Sequence, residues 1–130
     1  MTHFEAAALY VGLFVLLFLA LKVNAGRVRA STKVNFGEGD NEDMIRAMRV
    51  QGNAVEDTPV TLLGIMALAA LAAPIMLIHI LGAGFLISRI LHALGLGGAK
   101  GLGMGRLIGT MGTLIIMLVT AGSCIWFALT

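Results

Sequence analysis

Charge is scarce in this chain of 130 residues, where Asp, Glu, Lys and Arg make up only 12% of the total. Uncharged runs occupy 6–21, 58–88 and 107–130. A globule this small has too little interior to hide 58% hydrophobic residues at mean hydropathy +0.95, so a lipid bilayer has to hide them. Cysteine is limited to Cys124, which excludes an internal disulfide, and its apolar setting marks a small core residue rather than a reactive thiol. Aromatic residues are only 6% and the net charge only +2, too little stacking surface and positive field for a nucleic-acid partner. The 3 histidines are dispersed and Cys124 stands apart from them, so no metal constellation is expected. No basic segment precedes the first apolar run, so 4–25 reads as a retained span rather than a signal peptide.

What the chain does contain is span-length apolar sequence. About 20 apolar residues cross a hydrocarbon core of about 30 Å. The run from 6 to 21 is short, but Lys22 can snorkel and Val23, Asn24 and Ala25 carry the helix into the headgroups. The run from 58 to 88 is divided by Leu71-Ala72-Ala73-Pro74, since proline breaks the turn before it. The expected fold is therefore an all-α membrane protein, a single domain over 1–130 forming a four-transmembrane-helix bundle. Its spans are expected at about 4–25, 44–73, 75–96 and 105–129, with Asp40 or Asn41 as N-cap of the second. Lys22, Arg27, Arg29, Lys33, Arg46 and Arg49 gather around the first connection, and Arg89, Lys100 and Arg106 around the third. Four spans put both groups on one side. The positive-inside rule makes that side the cytoplasm and leaves both termini outside.

The glycines from 95 to 105 fit neither a dinucleotide fingerprint nor a phosphate loop, and no strand precedes them. They read as a connection. Gly101, Gly105 and Gly109, spaced by four, can let another helix approach the fourth span closely.

The informative segment is 44–59. At about 100° per residue, Arg46, Arg49, Asn53, Glu56 and Asp57 share roughly a 100° arc of one helix face. Charges at that depth are costly when unpaired, so the face has to look into protein or a water-filled cleft. Two accounts follow: the groups pair among themselves and glue helices together, or they grip a zwitterionic ligand. In the second, arginine takes a carboxylate in fork geometry and Glu56 accepts from an ammonium. Four thin helices do not easily enclose such a stripe, so an interface between copies of the chain is its natural place.

The string Arg49-x-Gln51-x-Asn53-x-x-Glu56-x-x-Pro59, after an arginine-rich first connection, resembles the signature of the MAPEG family, the membrane-associated proteins of eicosanoid and glutathione metabolism. Phe36-Gly37-Glu38-Gly39-Asp40 and Gly52-Asn53-Ala54-Val55-Glu56 resemble its short bacterial branch, which implies a bacterial inner-membrane location. The resemblance implies a homotrimer with glutathione bound between neighbouring subunits near the cytoplasmic face. It assigns Arg49, Gln51, Asn53 and Glu56 to glutathione, with Arg46 on the same face. Arg29 matches a first-helix arginine reaching the site. Arg89 and His92 match third-helix positions at the ligand, and Arg106 is similar to the fourth-helix arginine that activates the thiol. Leu96 stands where many members have a ligand-binding tyrosine, and Asp57 where a tyrosine often follows the glutamate.

The function this implies is a glutathione-dependent transferase or peroxidase acting on an apolar small molecule at the membrane boundary, with Arg106 and then Arg29 as the groups favouring the thiolate. Two readings stand beside it. One is a non-catalytic lipid-binding or scaffold member of the same family. The other is a small transporter, against which the absence of acids from the first, third and fourth spans counts. Arg106 equally suits a positive-inside anchor, and Arg89 and His92 equally suit interfacial residues.

Overall fold

The computed structural model describes residues 1–98 and 103–130, which form four helices: α1 (His3–Thr32), α2 (Glu42–Ala70), α3 (Ile75–Gly97) and α4 (Met104–Leu129). Lys100 and Gly101, part of the basic cluster expected around the third connection and of the glycine spacing, lie outside the described residues. No strand occurs among the described residues.

Local chemistry sets the ends. Thr2 and Glu5 form a capping box at the start of α1, the Thr2 Oγ1 accepting from the Glu5 amide and the Glu5 carboxylate from the Thr2 amide. Past the expected end at 25, α1 stays helical to Thr32, where Lys33 takes a left-handed conformation. Asn41 caps α2 by accepting from the Met44 amide at 3.1 Å, with Glu42 and Asp43 in the first turn, where the helix dipole favours acids. The α2–α3 turn is a Schellman motif. The Ala73 amide donates to the Leu68 carbonyl and the Ala72 amide to the Ala69 carbonyl, with Ala72 at φ 53. That wrap ends α2 at Ala70, three residues short of the expected 73, and Pro74 then opens α3.

Both termini lie at the end of the bundle that carries this turn, because Ala6, Ala7, Leu68, Ala69, Ala73 and Ile78 share one buried cluster with Phe127 packed against it. The opposite end gathers Ala25, Met44 and Ala47. At about 1.5 Å per residue the 29 residues of α2 span about 44 Å, as long as the apolar helices beside it. Among the described residues α1, α3 and α4 are long and apolar enough to cross a membrane. The first four turns of α2 carry the charges that separate it from them.

Glycine sets how closely α3 approaches its neighbours. A Cβ at Gly105 would lie 2.9 Å from the Leu91 carbonyl, and one at Gly109 would overlap the His92 backbone. The expected close approach thus occurs against α3. Gly82 leaves room for the Tyr10 ring, whose hydroxyl hydrogen-bonds the His79 Nδ1 at 2.9 Å and ties α1 to α3. Gly82→Ala puts a methyl group into that ring. Thermal unfolding in detergent should therefore show a clear loss, of order 1–3 kcal/mol as for overpacked cores. The loss should be largely relieved in Gly82→Ala/Tyr10→Leu, and an unchanged melting temperature in the single variant would refute the close contact.

Candidate functional site

The polar stripe of α2 does not act as one surface, because its residues divide among three neighbourhoods. Arg49, Asn53 and Glu56 occur at successive helical turns and line a cavity of about 180 Å³. Gly52 on α2 leaves room there, and Met48 and Glu38 complete the wall. Glu38 comes from the α1–α2 connection, so this wall depends on how that connection is held.

Arg29 holds it. Its Nη1 donates to the Val34 and Gly37 carbonyls at 3.1 Å each, and its Nη2 lies 3.6 Å from the Met48 sulfur. The guanidinium is thus engaged in fastening the loop, beside the cavity rather than in it. Asn53 in turn donates to the Arg49 carbonyl at 2.9 Å, which leaves its side-chain oxygen free to accept.

The second neighbourhood is interior. Asp57, one residue after Glu56, accepts from the Arg89 Nη1 at 3.2 Å and joins α2 to α3. This is the only ion pair among the described residues. The Arg89 side chain is 3% exposed and that of Asp57 40%. His92 is buried one turn further along α3. Within electrostatic reach of its ring lie Arg89, Arg106 and Asp57. Neither the Arg89 Nε nor the His92 Nδ1 has a hydrogen-bond partner among the described residues, although both are buried. Buried polar atoms of this kind generally meet water or a ligand. Arg106 itself is exposed at the start of α4.

Arg46 occupies the third neighbourhood, on the other flank of α2, where its Nη1 donates to the Gly98 carbonyl at 3.1 Å. Gln51 is half-buried and lines neither the groove beside Arg46, between α1, α2 and α3, nor the cavity of Arg49. Leu96 is half-buried near the end of α3.

Of the expected ligand set, then, Arg49, Asn53 and Glu56 converge, while Arg89 and His92 form a separate buried pair. Sequence reasoning did not assign Glu38 or Met48 to the site, and it placed Asp57 on the polar stripe without pairing it to Arg89. A signal for Asp57 existed: Arg89 is the one Asp, Glu, Lys or Arg between Asp57 and Lys100. A cation so isolated in apolar sequence needs a counter-ion within protein, and Glu56 and Asp57 are the nearest acids in the chain.

A model of the MAPEG family matches residues 7–126. Among curated proteins, the inner membrane protein YecN of Escherichia coli K12 is 30% identical over 89 residues, 68% of either chain. The uncharacterized protein sll1147 of Synechocystis is 35% identical over 121 residues, 92% of this chain and 88% of its own. No solved structure matches.

Proposed function

The chain belongs to the MAPEG family, an integral membrane protein built as a four-helix bundle, and from that premise we propose that it binds glutathione and uses it as a transferase or peroxidase. The observation that carries this reading is the cavity in which a guanidinium (Arg49), an amide (Asn53) and two carboxylates (Glu56 and Glu38) come together. These groups fit a tripeptide with both carboxylates and an ammonium. Arg49 offers a planar fork to a carboxylate, Glu56 and Glu38 accept from an ammonium, and the Asn53 oxygen accepts from a peptide N–H.

The volume supports a shared site. About 180 Å³ is below the roughly 300–1,000 Å³ usual for ligand pockets. A second subunit, as in a homotrimer, adds the missing wall and brings the exposed Arg106 of one copy toward Arg49 and Glu56 of another. The inner membrane is the proposed location, on the likeness to YecN, with both termini on the outer side. The basic residues of the α1–α2 connection then face the cytoplasm.

Bound there, glutathione supplies a thiol that becomes a nucleophile on losing its proton. Arg106 places a permanent positive charge near the start of α4, which lowers the cost of negative charge in a water-poor site. Arg29 acts through the loop, holding Glu38 and Met48 in place. The lipid-facing setting admits an apolar electrophile directly from the bilayer.

Calorimetry of the detergent-purified protein with glutathione tests the reading, together with turnover of a generic aryl halide. Arg106→Ala is expected to cut turnover about tenfold or more while leaving the binding constant within about twofold, because its charge matters most once the proton has left. Absence of glutathione binding at millimolar concentration would overturn the proposal. Binding without turnover in the parent protein would leave a non-catalytic, lipid-binding member of the family.

A further inference from the structure

On the flank of α2 opposite the Arg49 cavity, a groove of about 580 Å³ runs between α1, α2 and α3. Its lining changes character along the bundle. Towards the end that carries the α1–α2 connection it is walled by Ser31, Asp43 and Arg46, whereas Leu21, Val50 and Leu94 lie deeper. Three helices of alternating direction agree on this gradient. Ser31 lies ten residues beyond Leu21 on α1, and Asp43 precedes Val50 on α2. On α3, Leu94 precedes Gly98, which is at the polar mouth. A polar mouth over an apolar floor at the edge of a membrane protein matches one chemistry in its surroundings, a phospholipid.

The charges at the mouth narrow the headgroup. Asp43 and Arg46 stand three residues apart on α2 and form no ion pair with each other. Arg46 is anchored by one N–H to the Gly98 carbonyl, which holds the guanidinium across the groove with no other hydrogen bond among the described residues. A second groove shares Asn24, Val28 and Ser31 with this one and brings Arg27 to the same mouth. We propose that this groove is a binding site for a phospholipid with an ammonium-bearing headgroup, the phosphate held by Arg46 and the ammonium by Asp43, with an acyl chain along Leu21, Val50 and Leu94. The site is independent of glutathione. It also gives Arg46 a role apart from Arg49, Asn53 and Glu56, from which the body of α2 separates it.

Native mass spectrometry of the full chain in detergent, with added phosphatidylethanolamine, phosphatidylcholine or phosphatidylglycerol, tests it. Phosphatidylethanolamine should be retained about tenfold over phosphatidylcholine, whose quaternary ammonium has no N–H to donate to Asp43. Asp43→Asn should erase that preference, and Arg46→Gln should lower retention of both lipids. Because Arg46→Gln also loses the bond to Gly98, Ala20→Phe provides a second variant. Ala20 is exposed and lines the groove, so a phenylalanine there should block lipid without disturbing the core. Arg49→Lys should weaken glutathione binding and leave lipid retention unchanged, which separates the failure of one reading from the failure of the other. Equal retention of all three lipids, a preference for phosphatidylglycerol, or full retention in Ala20→Phe would each overturn the proposal. So would displacement of the lipid by soluble phosphoethanolamine at equal concentration, since a free headgroup lacks the chain that the floor accommodates.

Discussion

Glu56→Gln should weaken glutathione binding by about ten- to a hundredfold, the usual worth of one charged hydrogen bond. The substitution keeps the length and shape of the side chain and removes only the charge. Glu56 is exposed in the single subunit and lines the cavity with Arg49 and Asn53. Exposed charge pairs contribute about 0–1 kcal/mol, so an open site would yield less than a fivefold change. A change of ten- to a hundredfold requires that ligand and a second subunit exclude water from the carboxylate. Calorimetry on the parent and variant therefore measures two things at once, whether Glu56 meets the ligand and whether the site is closed by a neighbour. An affinity unchanged by the substitution would remove Glu56 from the site.

Much of this is legible in the sequence itself. Pro74, the uncharged runs and the one-sided basic clusters place four helices because their physics is local: a missing amide, a hydrocarbon thickness, a charge that stays in water. The cavity residues Arg49, Asn53 and Glu56 were readable for the same reason, being three or four apart on one helix. Contacts that depend on a distant partner were not. The spacing places Arg46 on the same arc as Arg49, yet Gly98, 52 residues away, turns its guanidinium to the other flank. Arg29 resembles a ligand-reaching arginine in sequence, but the fold of the α1–α2 connection supplies it with two carbonyls. Glu38 enters the cavity only because that connection folds back onto α2. Periodicity gives the face of a helix, and the neighbours decide what each side chain on it touches.

Asp57 shows the consequence most directly, and Asp57→Asn is the substitution expected to damage the fold most. The variant retains a hydrogen-bonding side chain but leaves Arg89, 3% exposed, without an anion inside the bundle. Removing one partner of a buried pair costs about 3–5 kcal/mol, and the 40% exposure of Asp57 places the expected loss toward the lower end of that range. Because the Arg89 Nε is already unpartnered and the remaining carboxylate within electrostatic reach, Glu56, is exposed and makes no ion pair with it, its charge has little to fall back on among the described residues. Arg89→Gln should cost less, since the carboxylate left behind is partly solvated. Replacing both, as Asp57→Asn/Arg89→Gln, should recover much of the loss, for then no charge is stranded and the two amides can bond to each other. The measurement is thermal or denaturant unfolding of all four proteins in one detergent, read as a double-mutant cycle. If the two single losses simply add in the double variant, the pair carries no coupling and Arg89 is held in place by something other than Asp57. A strong coupling would make this ion pair the tie that sets α3 and its His92 against the helix that carries Arg49 and Glu56.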